Sequence, residues 1–409
     1  MNPRHPRHFS ARRVIGTSAI GVGALVAFGT AAAAVTSVAV ARLIVVPSGR
    51  HTDDVRVLAV TEDTITLSST ADTRLPGRYG FWFTASSGHA KLGEILSSTP
   101  VSVTRELLSV DFGRLDVARR GRFGGWFYLS PRELDVPYSN VLVPTPVGPA
   151  PAWLIPADED TGRWVIGVHG RGVRRAETLR AVDVFRRAGY SILLVSYRND
   201  GDAPSSDDGR YGLGDTEWQD VDAALSYAIA QGATDVVLLG YSMGGATVLQ
   251  TAIRSENAGV IRGLVLDSPV IDWITALRYQ GTSMKLIEPL QRLSLAIISS
   301  TWGRAVTGLQ EPIDLVRLNL VARSGELTVP VLLMHSVDDG FIPATASRAL
   351  AEARPDVVEY HEFTVARHIK LWNYDPERWT AAVEGWLRRL PQSSARTGRS
   401  RRRPAAATE

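Results

Sequence analysis

A serine held between two glycines is the strongest chemical signal in the sequence. Gly240, Ser242 and Gly244 form a G-x-S-x-G pattern between an apolar run that predicts a strand and one that predicts a helix. A strand that turns directly into a helix places the central serine on a sharp, strained bend, where side chains larger than glycine on either side would collide. The pattern therefore predicts a nucleophilic serine rather than a simple turn.

A serine hydroxyl is a weak nucleophile that needs a neighbouring base. His368 follows the last predicted strand, and Asp338 and Asp339 follow the strand before it. The carboxyl ends of parallel strands meet at one edge of a sheet, so we expect Ser242, an aspartate and His368 to converge there. Asp267, at the end of an earlier predicted strand, is a further candidate for the acid. His335 points to the same edge, but it precedes the acid and is expected to be structural.

A fourth element, His169-Gly170-Arg171-Gly172, directly follows the first predicted parallel strand. Its loop should lie on the same edge of the sheet, where backbone N–H groups can stabilise a developing negative charge. We expect the N–H groups of Arg171 and Met243 to form such an oxyanion hole. His169 is expected to brace the loop rather than to act as a base.

The four motifs HGRG, GYSMGG, HSVDDGFIP and RHIKLW, in this order, resemble the α/β-hydrolase superfamily. Within it they are similar to serine hydrolases described as prolyl-oligopeptidase-like or serine-aminopeptidase-like. The resemblance implies that Asp339 is the acid, because the family's acid stands four residues before a proline, here Pro343. It also implies the triad Ser242, Asp339 and His368. The sequence departs from the family at Arg367, where a glycine usually precedes the histidine.

Two regions with different patterns make up the body of the chain. Residues 47–135 alternate apolar and polar residues in short runs, which predicts a small β-rich module without chemistry of its own, and the lone His89 is expected at its surface. Residues 136–390 alternate continuous apolar strands with amphipathic helices, which predicts a mostly parallel sheet covered on both faces. Residues 268–328 interrupt that alternation with helical patterns and match the lid that the family resemblance implies. We therefore predict an α/β-hydrolase fold preceded by a β-rich module.

No residue from Val14 to Ala41 is charged, and four arginines precede this run. Such a segment is typical of a transmembrane helix whose amino-terminal flank stays in the cytoplasm. We predict an anchor at residues 14–46, after a basic segment at 1–13, with the catalytic domain outside the cytoplasm. Ala31–Ala34 also fits a signal-peptidase site, and Arg12-Arg13 resembles a twin-arginine signal, so a secreted protein is the alternative.

Net charge and cysteine content exclude several classes of function. The net charge is +3, but residues 1–13 and the tail at 391–409, predicted to be disordered, carry +4 each, which leaves −5 for the rest. A basic face for nucleic acid is therefore not expected. The chain has no cysteine, which excludes disulfides and thiolate catalysis. A cluster of aspartates is expected to be a solvated loop, since its spacing fits no defined calcium loop: Asp200, Asp202, Asp207, Asp208 and Asp215.

These features together predict a membrane-anchored serine hydrolase that cleaves ester or amide bonds through an acyl-enzyme. The expected substrate is a small or lipid-like ester, or a peptide, and no metal or organic cofactor is expected. A serine peptidase using the same triad is one alternative. A non-catalytic envelope scaffold, with the β-rich module as its binding part, is another.

Overall fold

The computed structural model describes residues 31–47 and 52–391. Outside the described residues lie the predicted basic segment 1–13, the first part of the predicted anchor and all but one residue of the predicted disordered tail. The described strands are β1 (Val55–Val60), β2 (Thr64–Ser68), β3 (Tyr79–Phe83), β4 (Gly88–Ser98), β5 (Ser102–Phe112), β6 (Arg120–Gly124), β7 (Ser139–Thr145), β8 (Gly148–Ile155), β9 (Arg163–Val168), β10 (Ser191–Val195), β11 (Asp235–Tyr241), β12 (Ile261–Asp267), β13 (Val331–Ser336) and β14 (Val358–Phe363).

The described helices include five short 3₁₀ turns besides the α-helices. The 3₁₀ turns are Leu115–Val117, Pro131–Leu134, Arg175–Ala181, Ala258–Val260 and Ser324–Glu326. The α-helices are α1 (31–45), α2 (Val182–Arg187), α3 (Trp218–Ala230), α4 (Met243–Arg254), α5 (Trp273–Ser283), α6 (Glu288–Ile298), α7 (Arg304–Thr307), α8 (Thr345–Ala353), α9 (Leu371–Tyr374) and α10 (Pro376–Arg389).

The β-rich module is a closed six-stranded barrel in the order β1-β2-β5-β4-β3-β6, and every strand pair is antiparallel. Closure pairs both edges of the sheet, so no backbone edge is left open. Its interior holds apolar side chains and one fully buried arginine, Arg105. The Arg105 guanidinium donates to the carbonyl oxygens of Thr73, Leu75, Gly77 and Gly93 at 2.5–3.1 Å.

The second unit contains an eight-stranded sheet in the order β14-β13-β12-β11-β9-β10-β8-β7. From β9 to β14 all pairs are parallel, whereas β8 and β7 add an antiparallel edge. Successive residues of each parallel strand pack on opposite faces: Leu238 contributes to one core, and Val237 and Leu239 to the other. Both faces are therefore covered by helices, which explains the continuous apolar strands. This arrangement is the α/β-hydrolase fold, as predicted.

Residues 268–328, predicted as the lid, hold the three helices α5, α6 and α7 between β12 and β13. Helix α1 packs on this insert. The Ser294 hydroxyl of α6 donates to the carbonyl oxygen of Ser37 at 3.2 Å, and Ala41, Ile44 and Val45 belong to the same apolar core as the sheet.

The predicted anchor needs a correction at its carboxyl-terminal end. Residues 14–30 lie outside the described residues, but Ser37, Ala41 and Val45 are fully buried against the protein, so the predicted boundary at residue 46 was wrong. The side chains of these three residues pack against protein and therefore cannot face lipid. Among the helices that the structure describes, none combines the length and the apolar character needed to cross a bilayer.

The expectation that His89 lies on the surface was also wrong. His89 is in strand β4 and fully buried, with Nδ1 at 2.6 Å from a carboxylate oxygen of Asp111 and its ring against Trp82. The Ser/Gly-rich turn before His89 hides the start of this strand in the sequence, and the carboxylate that pairs with the imidazole, Asp111, lies on the next strand.

Removing the buried guanidinium should destabilise the barrel. We expect Arg105→Met to lower the free energy of unfolding by about 3 kcal/mol, because several buried carbonyl oxygens lose a charged donor. Burial lowers the pKa of Arg105 to about 10, so the group is still charged at neutral pH. Arg56, exposed on β1, provides the control: Arg56→Met should change the value by less than about 0.5 kcal/mol in the same urea titration. Equal effects of the two substitutions would contradict the assigned role.

Candidate active site

Ser242 occupies the bend between β11 and α4 with φ of 50° and ψ of −116°. This left-handed backbone is strained for a serine and persists because the neighbouring elements fit tightly around it. A Cβ atom on Gly240 would lie 2.6 Å from the carbonyl oxygen of Gly244, and one on Gly244 would lie 2.4 Å from that of His169. Close backbone approach therefore requires both glycines of the motif.

The structure brings the three predicted triad residues together. His368 Nε2 lies 3.0 Å from the hydroxyl oxygen of Ser242, and His368 Nδ1 lies 2.7 Å from a carboxylate oxygen of Asp339. The imidazole can thus accept the serine proton on one side while it donates to the carboxylate on the other. Ser242 and Asp339 are almost fully buried, and the His368 side chain is 15% exposed.

The carboxylate of Asp339 accepts hydrogen bonds on both oxygens. The backbone N–H groups of Phe341 and Ile342 donate to Oδ1 at 2.8 Å, and His335 Nε2 lies 3.1 Å from Oδ2. Burial by itself would raise the pKa of Asp339, but the charge of His368 and the hydrogen bonds from both histidines hold it well below the ordinary value. The Asp339 carboxylate is therefore ionised and can stabilise the His368 imidazole when it becomes protonated.

The two other candidate acids have different partners. Asp338 accepts from the hydroxyl of Ser336 at 2.6 Å and from the backbone N–H of Arg367 at 2.9 Å. Asp267 accepts from the indole of Trp379 at 3.0 Å, and burial raises its pKa. Within the described residues, Asp339 is the one of the three that contacts His368.

His335 was expected to be structural, and in the structure it contacts the acid of the triad directly. Its Nδ1 lies 2.8 Å from the hydroxyl of Ser347, and its Nε2 points at Asp339. A hydroxyl donating to Nδ1 leaves the proton on Nε2, so the ring can donate to the carboxylate. The motif HSVDD contained the signal, since its histidine lies near the end of the strand that leads to the acid, four residues before it.

Three hydrogen bonds hold the loop after β9. Glu177 accepts from Gly170 N at 3.1 Å, the Tyr197 hydroxyl donates to Gly170 O at 2.8 Å, and Asp200 accepts from Gly172 N at 2.9 Å. These bonds leave the N–H of Arg171 without an acceptor in the described part of the chain. The loop lies against the serine, because a Cβ atom on Gly170 would be 3.4 Å from that of Ser242.

The N–H of Met243 is the first of helix α4, and the first N–H groups of a helix have no intrahelical acceptor. It stands beside Ser242, across from the loop that carries Arg171. Two N–H groups on adjoining elements are thus available near the serine. His169 packs under the loop with its ring 4.3 Å from that of Tyr197, and burial lowers its pKa to about 4.

The expectation of a solvated aspartate loop was wrong for two of its members. Asp200 is buried, bonded to the hydroxyl of Tyr211, and burial raises its pKa to about 6. Asp215 is buried between Arg254 and Arg317 at 2.8–2.9 Å. Distant partners, rather than local spacing, determine their burial. No group of three or more His, Cys, Asp or Glu side chains among the described residues could hold a metal ion.

A model of the family described as "Alpha/beta hydrolase family" matches residues 165–383, just over half of the chain. The chain belongs to the alpha/beta hydrolase family. A second model, described as a domain of unknown function, matches residues 56–124 of the barrel. No curated protein matches the sequence.

Solved structures of low sequence identity are similar to this alpha/beta hydrolase. An esterase of Pyrococcus furiosus is 19% identical with a TM-score of 0.50, covering 64% of this chain and 94% of its own. The enzyme Est1E of Butyrivibrio proteoclasticus, solved with ferulic acid, is 19% identical with a TM-score of 0.46, covering 59% and 95%. At this level of identity the likeness concerns the fold alone.

The barrel of this alpha/beta hydrolase adjoins the triad. A cavity of about 320 Å³ is lined by Trp82 and Arg122 of the barrel and by His368 and Lys370 of the hydrolase unit. Residue 367, where the family usually has glycine, adopts the left-handed conformation with φ of 58° despite being an arginine.

A carboxylate of the barrel holds this unusual arginine. The guanidinium of Arg367 lies 2.8 Å from Asp72, and the ammonium of Lys370 lies 3.3 Å from the same oxygen. The left-handed backbone costs an arginine about 1–2 kcal/mol relative to glycine. The ion pair with Asp72 therefore offsets part of the cost of the strained Arg367 backbone, which directly precedes His368.

A double-mutant cycle should reveal this balance. In an Asp72→Ala background, we expect Arg367→Gly to raise the free energy of unfolding by about 1 kcal/mol, because only strain is removed. In the wild-type background the same substitution also loses the ion pair, so the gain should vanish. Urea titration of the four proteins measures both values. An identical effect of Arg367→Gly in the two backgrounds would show that Asp72 does not support this residue.

Proposed function

We propose that this protein is a serine esterase that works through the triad Ser242, Asp339 and His368. The observation that carries the proposal is the unbroken series of hydrogen bonds from Asp339 through His368 to Ser242. That series orients the imidazole, fixes its tautomer and prepares the hydroxyl for attack. The N–H groups of Arg171 and Met243 supply the oxyanion hole in this proposal.

The reaction proceeds in two halves. The Ser242 oxygen attacks the ester carbonyl while His368 takes its proton, and the oxyanion of the tetrahedral intermediate accepts from the two N–H groups. His368 then gives the proton to the departing alkoxide, which leaves as an alcohol, while the acyl group stays on the Ser242 oxygen as the acyl-enzyme. Water repeats the sequence: it loses a proton to His368, attacks the acyl carbonyl, and the proton returns to the Ser242 oxygen as the acid departs.

We favour an ester over a peptide as the substrate because of the side chains that surround the triad. A mostly apolar cavity of about 350 Å³ adjoins the triad, lined by side chains such as Leu277, Met284 and Leu286. An apolar cleft of this size suits an acyl chain. A peptidase on the same residues is the second function to test, and the substrates below distinguish the two.

Substitution of the triad tests the proposal directly. We expect Ser242→Ala, His368→Asn and Asp339→Asn each to lower kcat/KM for p-nitrophenyl esters at least ~10³-fold, because each breaks the proton relay. The wild type should react with a fluorophosphonate probe and Ser242→Ala should not.

Asp338→Asn is the matched control for the acid. The amide oxygen of asparagine can still accept from the Arg367 N–H, so kcat/KM should stay within about threefold of the wild type. Activity that survives in Ser242→Ala would exclude the serine mechanism. Faster cleavage of aminoacyl or prolyl anilides than of esters would favour the peptidase.

We also propose that the chain is anchored in the cell membrane with the hydrolase outside the cytoplasm. The support is in the sequence: residues 14–36, which precede the first buried position of α1, are uncharged and follow four arginines. As a helix these 23 residues would measure about 34 Å, enough for the hydrocarbon core. The alternative, cleavage near Ala31–Ala34 and secretion, would leave the buried part of α1 in place.

Cell fractionation distinguishes a retained membrane anchor from a cleaved and secreted chain. We expect the full-length chain to stay in the membrane pellet after alkaline carbonate extraction, because an uncharged span of this length partitions into lipid. Protease added from outside should digest the hydrolase unit. Recovery of a soluble chain that begins between residues 32 and 35 would instead establish a cleaved signal.

A further inference from the structure

The apolar cavity beside the triad has walls from three separate parts of the chain. Val40 and Leu43 come from α1, Leu277 and Met284 from the helical insert, and Phe341 from the loop that carries the acid. All five side chains are apolar, and Leu43 and Met284 are 59% and 52% exposed, so they form an open rim. Segments this far apart in sequence meet around one space that nothing in the described chain fills.

This cavity begins beside the reacting atoms. The ring of Phe341 lies 5.1 Å from the ring of His368, and Phe341 borders both this cavity and the one that His368 lines. Arg171 also borders the apolar cavity, and the preceding Gly170 lies against Ser242. An acyl group attached to Ser242 therefore has an apolar space within reach on the side of α1.

Helix α1 is fixed in place by hydrogen bonds to the hydrolase unit. The guanidinium of Arg171 donates to the carbonyl oxygen of Ile44 at 2.7 Å, and the N–H of Tyr211 donates to that of Val45 at 2.8 Å. The last carbonyl groups of a helix have no intrahelical donor, so these bonds satisfy the end of α1. Arg171 thus joins the loop of the proposed oxyanion hole to the wall of the cavity.

We propose that α1 forms one wall of an acyl-chain site and that the substrate is the ester of a medium- or long-chain fatty acid. This inference rests on the proposed esterase function and names its substrate class. Most of the exposed lining surface is apolar and accepts methylene groups, whereas a short polar acid would leave that surface uncovered. Leu43 of α1 and Met284 of the helical insert both lie on the exposed rim of the cavity and set how long a chain the site admits.

The acyl-chain preference of the full chain tests the inference. Wild type should show kcat/KM rising from p-nitrophenyl acetate to decanoate, by about fourfold for each methylene that enters the cavity. We expect Leu43→Trp, which fills the space from α1, to lower the decanoate-to-acetate ratio of kcat/KM at least tenfold. Met284→Trp should do the same from the helical insert, so failure of one variant to fold does not end the test.

Val35→Trp is the matched control on the same helix. Val35 is 70% exposed and does not line the cavity, so the ratio should stay at the wild-type value. An unchanged ratio in both Leu43→Trp and Met284→Trp, with esterase activity intact, would overturn the acyl-chain site. A ratio that changes equally in Val35→Trp would also overturn it.

A binding measurement separates this inference from the proposed function. In Ser242→Ala, calorimetry should detect decanoate binding that is at least tenfold tighter than acetate binding, and Leu43→Trp added to this variant should abolish the difference. A wild type that binds decanoate but hydrolyses no ester would refute the esterase and keep the site. A Ser242→Ala variant that binds decanoate no better than acetate would refute the site.

Discussion

The buried carboxylate of Asp339 is the charge around which the active-site residues are arranged. A carboxylate inside a protein is stable as an anion only where donors surround it, and Asp339 has two backbone N–H groups and two imidazoles. These donors hold the turn after β13 and the loop that carries His368 to one another. The orientation of His368 towards Ser242 follows from that arrangement, and so does the place of Phe341 between two cavities.

Backbone geometry imposes a second constraint at the same edge of the sheet. The strained bend at Ser242 exists because β11 meets α4 with no space for side chains at Gly240 and Gly244. Arg367 is strained as well, in a position that glycine would fill more easily. Its partner is Asp72 of the barrel, so a module outside the hydrolase fold supports the loop of the candidate base. The barrel is in this sense a part of the site.

Helix α1 connects the amino-terminal segment to the active site. Its buried end is bonded to Arg171, and its exposed face meets the rim of the apolar cavity. A chain anchored just before the buried part of this helix would hold the cavity close to the membrane, where fatty acyl esters are concentrated. The proposed anchor and the proposed substrate class are thus consistent with one another, although each has its own test.

The sequence alone determined the fold of the hydrolase unit and the approach of Ser242, His368 and an aspartate, because strand-ending motifs in a parallel sheet must meet at one edge. The family resemblance then indicated Asp339 as that aspartate. Tertiary structure alone decided the burial of His89 and Asp200, the ion pair that holds Arg367, and the packing of α1 on the insert. These features depend on partners tens to hundreds of residues away in the chain. The local sequence pattern predicts whether a segment forms a helix or a strand. Whether a given side chain is buried or paired depends on which distant part of the chain packs against it.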